Sequence, residues 1–169
     1  CPDTIGRGLS QWSPQPEQEY AVSFYTRLAT AFVDALRVGK MRWLGTSMGA
    51  MFGTAAAAGP LKGRITHLVL NDMGPKIGDA ALARITAYAG SPAQFDRVSE
   101  LETYFRTIYK PFGLLTDAQW RRLTETSVRR TDGGKITPHY DPKIVMMFDH
   151  ETELVQWDFW DALECRALC

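Results

Sequence analysis

The stretch MRWLGTSMGAMFGTAAAA, residues 41–58, changes character at its centre. Residues 41–44 form a short, largely apolar run that suits a strand, and residues 50–58 have the small side chains of a helix that lies close against a sheet. Between them stands Ser47, with Gly45 and Gly49 two positions away on either side. The pattern predicts a sharp strand-to-helix turn with one serine at its apex.

Predicted elements on both sides of this turn indicate the fold class. Residues 65–70, ITHLVL, read as a second buried strand, and Gly59-Pro60 ends the helix before it. A strand, a helix and a strand within about 30 residues form a parallel βαβ unit. A further helix is predicted from Tyr20 to Val38. Its predicted apolar face is made of residues at every fourth position, Phe24, Leu28, Phe32 and Leu36, with Tyr25, Ala29 and Val33 beside them. We therefore predict the α/β class with a parallel sheet.

From Lys76 to about Trp160 the sequence predicts helices and turns with little strand. Ser91-Pro92 and Asp141-Pro142 look like helix starts, and residues 116–119 have the form of a capping box. Residues 132–134, Asp-Gly-Gly, predict a tight turn. The block is interpreted as a helical insertion on a sheet. Its aromatic residues are predicted first as packing residues that could also shape an apolar pocket: Tyr104, Phe105, Tyr109, Phe112 and Trp120.

The chemistry of a lone exposed serine depends on its surroundings. An enzyme must expose the hydroxyl, pair it with a base and hold donors near the developing oxyanion. The predicted turn exposes Ser47, and the backbone N–H of Met48 is the predicted first oxyanion donor. Gly45 and Gly49 are predicted to remove side chains that would collide where strand and helix meet. The alternative is an inert glycine turn.

Candidate partners of Ser47 are few. Asp72 follows the second predicted strand and is a candidate acid; the alternative is that it caps or braces the turn before Gly74-Pro75. His67 lies within that strand and is interpreted as a packed core residue. His139 and His150 are interpreted as residues of the predicted helical insertion or its exit; the alternative is that either one faces the pocket as a general base, for which geometry is the first requirement.

Composition excludes several kinds of partner. Lys+Arg and Asp+Glu each number 19, so the formal net charge is zero and neither nucleic acid nor a membrane surface is an expected partner. No apolar run approaches the roughly 20 residues of a membrane helix. The cysteines, Cys1, Cys165 and Cys169, are too few for a disulfide framework or a zinc site, so reduced thiols and a cytoplasmic location are expected. No cofactor or metal is predicted.

Two further features receive structural interpretations. Asp3 and Arg7 are predicted to fix the glycine loop around Gly6 and Gly8, although Trp12 and its neighbours could line a pocket. Arg129-Arg130 is predicted to be a solvated face rather than a phosphate site.

The chain resembles the α/β-hydrolase superfamily, in particular bacterial members with a helical cap, over nearly its whole length. Residues 3–10 are similar to the D-x-x-G-x-G-x-S loop after the family's fourth strand. Residues 45–49 resemble the nucleophile elbow after the fifth strand, and residues 70–75 the end of the sixth. Residues 139–142 and 157–163 resemble the end of the cap and the return to the sheet.

This resemblance implies a serine hydrolase of the carboxylesterase or lactonase type, in which Ser47 attacks an ester or related acyl bond and forms an acyl-enzyme. Hydrolysis of a carbon–carbon bond on the same scaffold is an alternative. The expected layout is a core segment at 1–75, a helical cap at 76–157, and a truncated return to the core at 158–169.

Several family segments are expected to lie outside these residues. The first oxyanion loop would precede Cys1, and the family's acid and histidine would follow Cys169. The chain is therefore expected to be an internal fragment, and the competing hypothesis is a catalytically incompetent or binding remnant. The strand that ends at Leu44 would have an exposed edge, which predicts self-association and low stability of the isolated chain.

Overall fold

The computed structural model describes residues 1–169, apart from the side chain of Phe112, whose predicted packing role lies outside the described residues. The chain forms two compact units. Unit 1 comprises Cys1–Trp12 and Ala87–Pro142, and unit 2 comprises Ser13–Thr86 and Lys143–Cys169. The division at residues 75 and 157 stays a prediction.

Seven α-helices and five strands are assigned among the described residues. The helices are α1 (Pro16–Glu19), α2 (Val22–Ala35), α3 (Met48–Ala58), α4 (Asp79–Ala89), α5 (Val98–Ile108), α6 (Asp117–Thr126) and α7 (Trp157–Asp161). The strands are β1 (Met41–Thr46), β2 (Ile65–Asn71), β3 (Val128–Arg130), β4 (Ile136–Pro138) and β5 (Arg166–Leu168). Short 3₁₀ helices cover Lys110–Phe112, Pro142–Asp149 and Glu151–Leu154. Across the described residues, no helix has the length and apolar character that a membrane span requires.

Unit 2 contains a three-stranded parallel sheet in the order β1-β2-β5. Helix α3 connects β1 to β2, so the predicted βαβ unit and the α/β fold class are confirmed. The register places Thr46 opposite Asn71, which brings the carboxyl ends of β1 and β2 to one edge of the sheet.

Helix α3 packs closely on the sheet because its side chains are small. A Cβ atom at Gly53 would overlap the indole of Trp43 on β1, so that position requires glycine. The Trp43 ring also meets Phe52 edge-on, with ring centres 5.5 Å apart. The buried core of the sheet and its helices consists of Val33, Ala50, Ala56, Ala57, Leu61, Ile65, Leu68 and Leu70.

Helix α2 buries only one side of its predicted apolar face. Leu28, Phe32 and Leu36 are 40%, 48% and 58% exposed. The buried positions are Val22, Tyr25, Thr26 and Val33. Tyr25 and Val33 belong to the predicted face, and Tyr25 stacks on Phe52 of α3. Burial of that side of the face is therefore confirmed, whereas burial of Leu28, Phe32 and Leu36 was predicted wrongly.

One face of the sheet exposes apolar side chains. Leu44, Val69 and Leu168 lie in register on adjacent strands, and Leu44 and Leu168 are 71% and 66% exposed. Within the described part of the chain, β1 pairs with β2 alone and leaves one edge open. Self-association through this edge stays a prediction.

Unit 1 is built on an aromatic core and a β-hairpin. Strands β3 and β4 pair antiparallel around the turn at residues 132–134, and the predicted turn is confirmed. The two strands have three residues each, which agrees with the prediction of little strand in this region, but the hairpin itself was not predicted. The capping box of Thr116 and Gln119 at the start of α6 is also confirmed. Leu101, Phe105, Trp120 and Ile136 form the buried core.

The predicted helix starts at Ser91-Pro92 and Asp141-Pro142 have different outcomes. No helix begins at Ser91-Pro92, because Phe95 exchanges two backbone hydrogen bonds of 2.8 Å with Ile136 and is held extended. Helix α5 begins only at Val98. A helix does follow Asp141, although its form is 3₁₀ rather than α.

Candidate active site at Ser47

Ser47 alone separates β1 from α3, so the predicted strand–turn–helix is confirmed. Its backbone has φ 49° and ψ −117°, a conformation that L-residues seldom adopt and that is found at the first central position of type II′ turns, where glycine is favoured. The residue is exposed. A strained non-glycine residue at an exposed turn is a frequent mark of a functional site.

Backbone hydrogen bonds hold Ser47 in this conformation. Its N–H donates to the carbonyl oxygen of Asn71 over 3.0 Å, and its own carbonyl accepts from Ala50 and Met51 over 2.8 and 3.1 Å. The Asn71 side chain adds a 3.2 Å hydrogen bond from Nδ2 to Thr46 Oγ1. The end of β2 therefore fixes the turn. Sequence reasoning did not identify Asn71, although the parallel pairing of two successive strands could have indicated it.

The N-terminus of α3 offers backbone donors beside Ser47. In the described chain, the N–H groups of Met48 and Gly49 have no backbone acceptor, as expected for the first turn of a helix. The dipole of this 11-residue helix adds partial positive charge at the same end. The surroundings of Ser47 are thus suited to a negatively charged oxygen, and the role of Met48 as oxyanion donor stays a prediction.

The two glycines of the motif differ in their surroundings. A Cβ atom at Gly45 would overlap the carbonyl group of Gly49 and approach the nitrogen of Ala50 at 2.5 Å, so β1 and α3 meet there without space for a side chain. A Cβ atom at Gly49 would meet nothing within 4 Å. The predicted collision at Gly49 was therefore wrong: the contact at this crossing is made by its backbone, whose carbonyl also accepts from Trp43 Nε1 over 3.1 Å.

Asp72 stands directly after Asn71, the residue that accepts the Ser47 N–H. It has φ 55° and is exposed. Across the described residues its carboxylate has no hydrogen-bond or ion-pair partner, so the alternative role as a brace of the turn has no contact to support it. The structure thus brings Asp72 to the same sheet edge as Ser47, and its role as the acid stays a prediction.

The three histidines occupy different positions. His67 is half-buried rather than in the core, and its Nδ1 lies 3.1 Å from Thr66 Oγ1. It precedes Asn71 by four residues, about 13 Å along a strand, so it cannot reach Ser47. His150 in unit 2 places Nε2 3.0 Å from the carbonyl oxygen of Glu17. His139 belongs to unit 1, where its carbonyl accepts from the N–H of Gly8 over 3.2 Å.

Asp3 has its predicted structural role in the glycine loop of unit 1. The Asp3 carboxylate accepts from the N–H of Leu9 over 2.9 Å and lies where a Cβ atom at Gly8 would be. Considering the residues that the structure describes, no group of three or more His, Cys, Asp or Glu side chains is placed to hold a metal ion.

Comparison with known proteins identifies the fold. The chain is 37% identical over 178 residues to the 3-hydroxybutyrate-oligomer hydrolase of Cupriavidus necator, covering 99% of this chain and 60% of that protein. A crystal structure of a Rickettsia typhi protein has a TM-score of 0.85 and 31% identity. An α/β hydrolase from Novosphingobium aromaticivorans has a TM-score of 0.83 and 27% identity. The chain belongs to the α/β-hydrolase superfamily. No family model matches it.

This α/β-hydrolase chain spans 60% of the length of the curated relative. The match to the Rickettsia typhi structure includes 96% of this chain and 56% of the other. The match to the Novosphingobium aromaticivorans structure includes 98% of this chain and 59% of the other. The similarity therefore extends over both units and confirms the resemblance from which the fold was predicted. The activity of the whole protein is a separate question.

Proposed function

We propose that this chain belongs to an ester hydrolase in which Ser47 is the nucleophile. The observation that carries the proposal is the exposed Ser47 with φ 49°, held between β1 and α3 beside backbone N–H groups without acceptors. A serine that only connected a strand to a helix would gain nothing from this strain.

The chemistry follows from these positions. Ser47 Oγ forms a bond to the carbonyl carbon of an ester while a general base takes the hydroxyl proton. The carbonyl oxygen becomes an oxyanion, which the N–H of Met48 stabilises. The C–O bond to the alcohol then breaks, the alcohol takes the proton from the base, and water releases the acid from the acyl-enzyme by the same steps.

The general base is proposed to lie in another part of the whole protein. The histidines of unit 2, the unit that contains Ser47, do not favour this role: His67 is too far along β2, and Nε2 of His150 is beside the Glu17 carbonyl. Asp72 is proposed as the group that orients the base, since it follows Asn71 at the sheet edge that carries Ser47. A carboxylate in that role holds the imidazole in the tautomer that can accept a proton.

The substrate class is proposed from sequence similarity to a relative with a stated substrate. The relative from Cupriavidus necator acts on 3-hydroxybutyrate oligomers, and its 37% identity extends over 99% of this chain. Such oligomers are chains of short hydroxy acids joined by ester bonds, which is the bond type that an exposed serine nucleophile cleaves. We therefore propose short oligoesters of a hydroxy acid as substrates.

A fluorophosphonate probe tests the nucleophile in the full-length protein. We expect one serine to be labelled, and we expect labelling and hydrolysis of a 3-hydroxybutyrate dimer to fall at least about a thousandfold in Ser47→Ala. Ser99→Ala is the matched control, because Ser99 is an exposed serine of α5 with ordinary helical geometry. Labelling that persists in Ser47→Ala would refute the assignment of the nucleophile.

A further inference from the structure

A cavity of about 190 Å³ lies within unit 1, apart from any residue that the proposed hydrolysis uses. Trp12, Pro92 and Pro142 supply apolar surface to it. The hairpin of β3 and β4 adds polar groups to it from Arg129, Thr131 and Thr137. Arg129 and Thr137 are paired across the two strands. The cavity therefore combines apolar walls with one cation.

The cation in this cavity is held in place by an aromatic ring. The guanidinium carbon of Arg129 lies 4.3 Å from the centre of the Trp12 ring, which is close for a cation–π contact. This contact holds the guanidinium over the ring, and the planar fork of N–H donors in a guanidinium matches a planar, two-oxygen partner. Arg129 is half-buried rather than fully solvated, so the prediction of a solvated face holds for only part of the Arg129-Arg130 pair.

Arg129 has no carboxylate partner in the described chain, where no Asp or Glu oxygen comes within 4.0 Å of its guanidinium. Other arginines of unit 1 are engaged. Arg106 pairs with Glu102 and Asp117, and Arg97 pairs with Glu100. The neighbouring Arg130 is exposed and donates to the carbonyl of Gly134 over 3.0 Å.

We propose that this cavity is a binding site for a small organic carboxylate. The carboxylate accepts two N–H bonds from Arg129, and its carbon chain lies against Trp12 and the two prolines. The volume corresponds to about six water molecules, which admits an acid of four or five carbons and excludes a nucleotide. Asp132 lines the same cavity, so a monoanion is favoured over a dianion such as phosphate.

Calorimetric titration of the full-length protein with butyrate tests this proposal. We expect saturable binding at millimolar concentrations for the wild type and for Arg130→Met, the matched control. Arg129→Met is expected to weaken binding about tenfold or more, since it removes a charge-assisted pair of hydrogen bonds. Arg129→Lys keeps the charge without the planar fork and is expected to bind with intermediate affinity, which preserves the test if Arg129→Met unfolds. Butyramide, which has the same shape without the charge, is expected not to bind.

The same titration separates this proposal from the proposed hydrolase. Ser47→Ala is expected to lose ester hydrolysis and to keep butyrate binding. Equal affinity in the wild type and Arg129→Met, loss of binding in Ser47→Ala, or phosphate binding as tight as butyrate binding would each overturn the carboxylate site. An active Ser47→Ala variant would refute the nucleophile and leave the cavity assignment intact.

Discussion

Units 1 and 2 differ in whether residues other than glycine adopt positive φ. Across the described residues, the non-glycine positions with positive φ are Arg37, Ser47 and Asp72, and all of them belong to unit 2. In unit 1 positive φ occurs at glycine: Gly6, Gly8, Gly113 and Gly134; in unit 2 Gly63 adopts it as well. Glycine adopts this region without steric cost, whereas other residues are held there at a cost of about 1–3 kcal/mol. Unit 2 therefore carries strain that unit 1 avoids.

The position of the strain is more informative than its presence. Arg37 follows the end of α2, where a left-handed residue commonly ends a helix, and it has no further significance. Ser47 and Asp72 instead follow the ends of two adjacent parallel strands. In open α/β sheets, ligands bind at the carboxyl ends of the strands. The comparison supports a functional reason for the strain at those two residues.

The largest expected loss of stability comes from placing a side chain where β1 and α3 meet in unit 2. Gly45→Ala should lower the free energy of unfolding by about 3 kcal/mol or more, because its Cβ atom would overlap backbone atoms that cannot move separately. Gly49→Ala should be neutral or stabilising by up to about 1 kcal/mol, since the site is open and helical. Urea unfolding of both variants measures the contrast, and equal losses would contradict it.

A smaller effect is expected from the half-buried phenol of Tyr109 in unit 1. Burial, with the nearby Tyr88 and Tyr104, raises the pKa of Tyr109 to about 12. The unfolded chain releases this proton from about pH 10, so the folded state binds more protons between pH 10 and 12 and stability falls as pH rises. The loss should be on the order of 2 kcal/mol.

Tyr109→Phe removes this titration from unit 1. The variant should lose less stability than the wild type between about pH 9 and pH 12, as measured by urea unfolding at a series of pH values. Below about pH 9 the difference between the two proteins should not depend on pH. An identical alkaline profile in both proteins would show that Tyr109 is not the group responsible.

A third prediction concerns the glycines that relieve unit 1 of strain. Gly134→Ala should cost about 1 kcal/mol, because alanine would have to adopt φ 79°. Gly133→Ala is the matched control in the same turn: its φ is not positive and its Cβ atom would meet only Thr131 Oγ1 at 3.8 Å, so the change should stay within about 0.5 kcal/mol. Thermal unfolding compares the two, and a larger loss at Gly133 would be inconsistent with the assigned turn.

The smallest effect has the opposite sign. Ser47→Gly should stabilise the protein by about 1 kcal/mol, since glycine tolerates φ 49° and ψ −117°, whereas Ser47→Ala keeps the strain and should leave stability nearly unchanged. Both variants should be inactive in ester hydrolysis. Urea unfolding distinguishes them, and a destabilised Ser47→Gly variant would mean that Ser47 is not strained.

The sequence predictions succeeded where a feature depends on residues close together in the chain, and they failed where it depends on contacts between distant segments. The strand–turn–helix at residues 41–58 depends on neighbouring residues and was predicted with nearly its observed bounds. The predicted apolar face of α2 is buried on the side of Tyr25 and Val33 and exposed on the other, because Phe52 on another helix packs against Tyr25. The hairpin was missed because β3, Val128–Arg130, is short and charged and is defined by its pairing with β4.

At the candidate site, too, the local features were predicted and the features that depend on distant contacts were not. The spacing of Gly45, Ser47 and Gly49 predicted a serine at a turn, but it could not reveal that only the first glycine lies against backbone. The hydrogen bond from Ser47 to Asn71 depends on the pairing of β1 with β2. The stacking of Arg129 on Trp12 joins residues far apart in the chain, and no local pattern indicates it.

The sequence alone determined the parallel α/β class, the βαβ unit and the serine at its turn, because these follow from hydrophobic periodicity and from the conformational limits of residues close together in the chain. The tertiary structure alone decided which face of α2 is buried, which glycine is indispensable, and how Asn71 and Asp72 come to the edge beside Ser47. These features depend on contacts between distant segments, where the fit of side chains and backbone selects one of several arrangements that the local sequence allows.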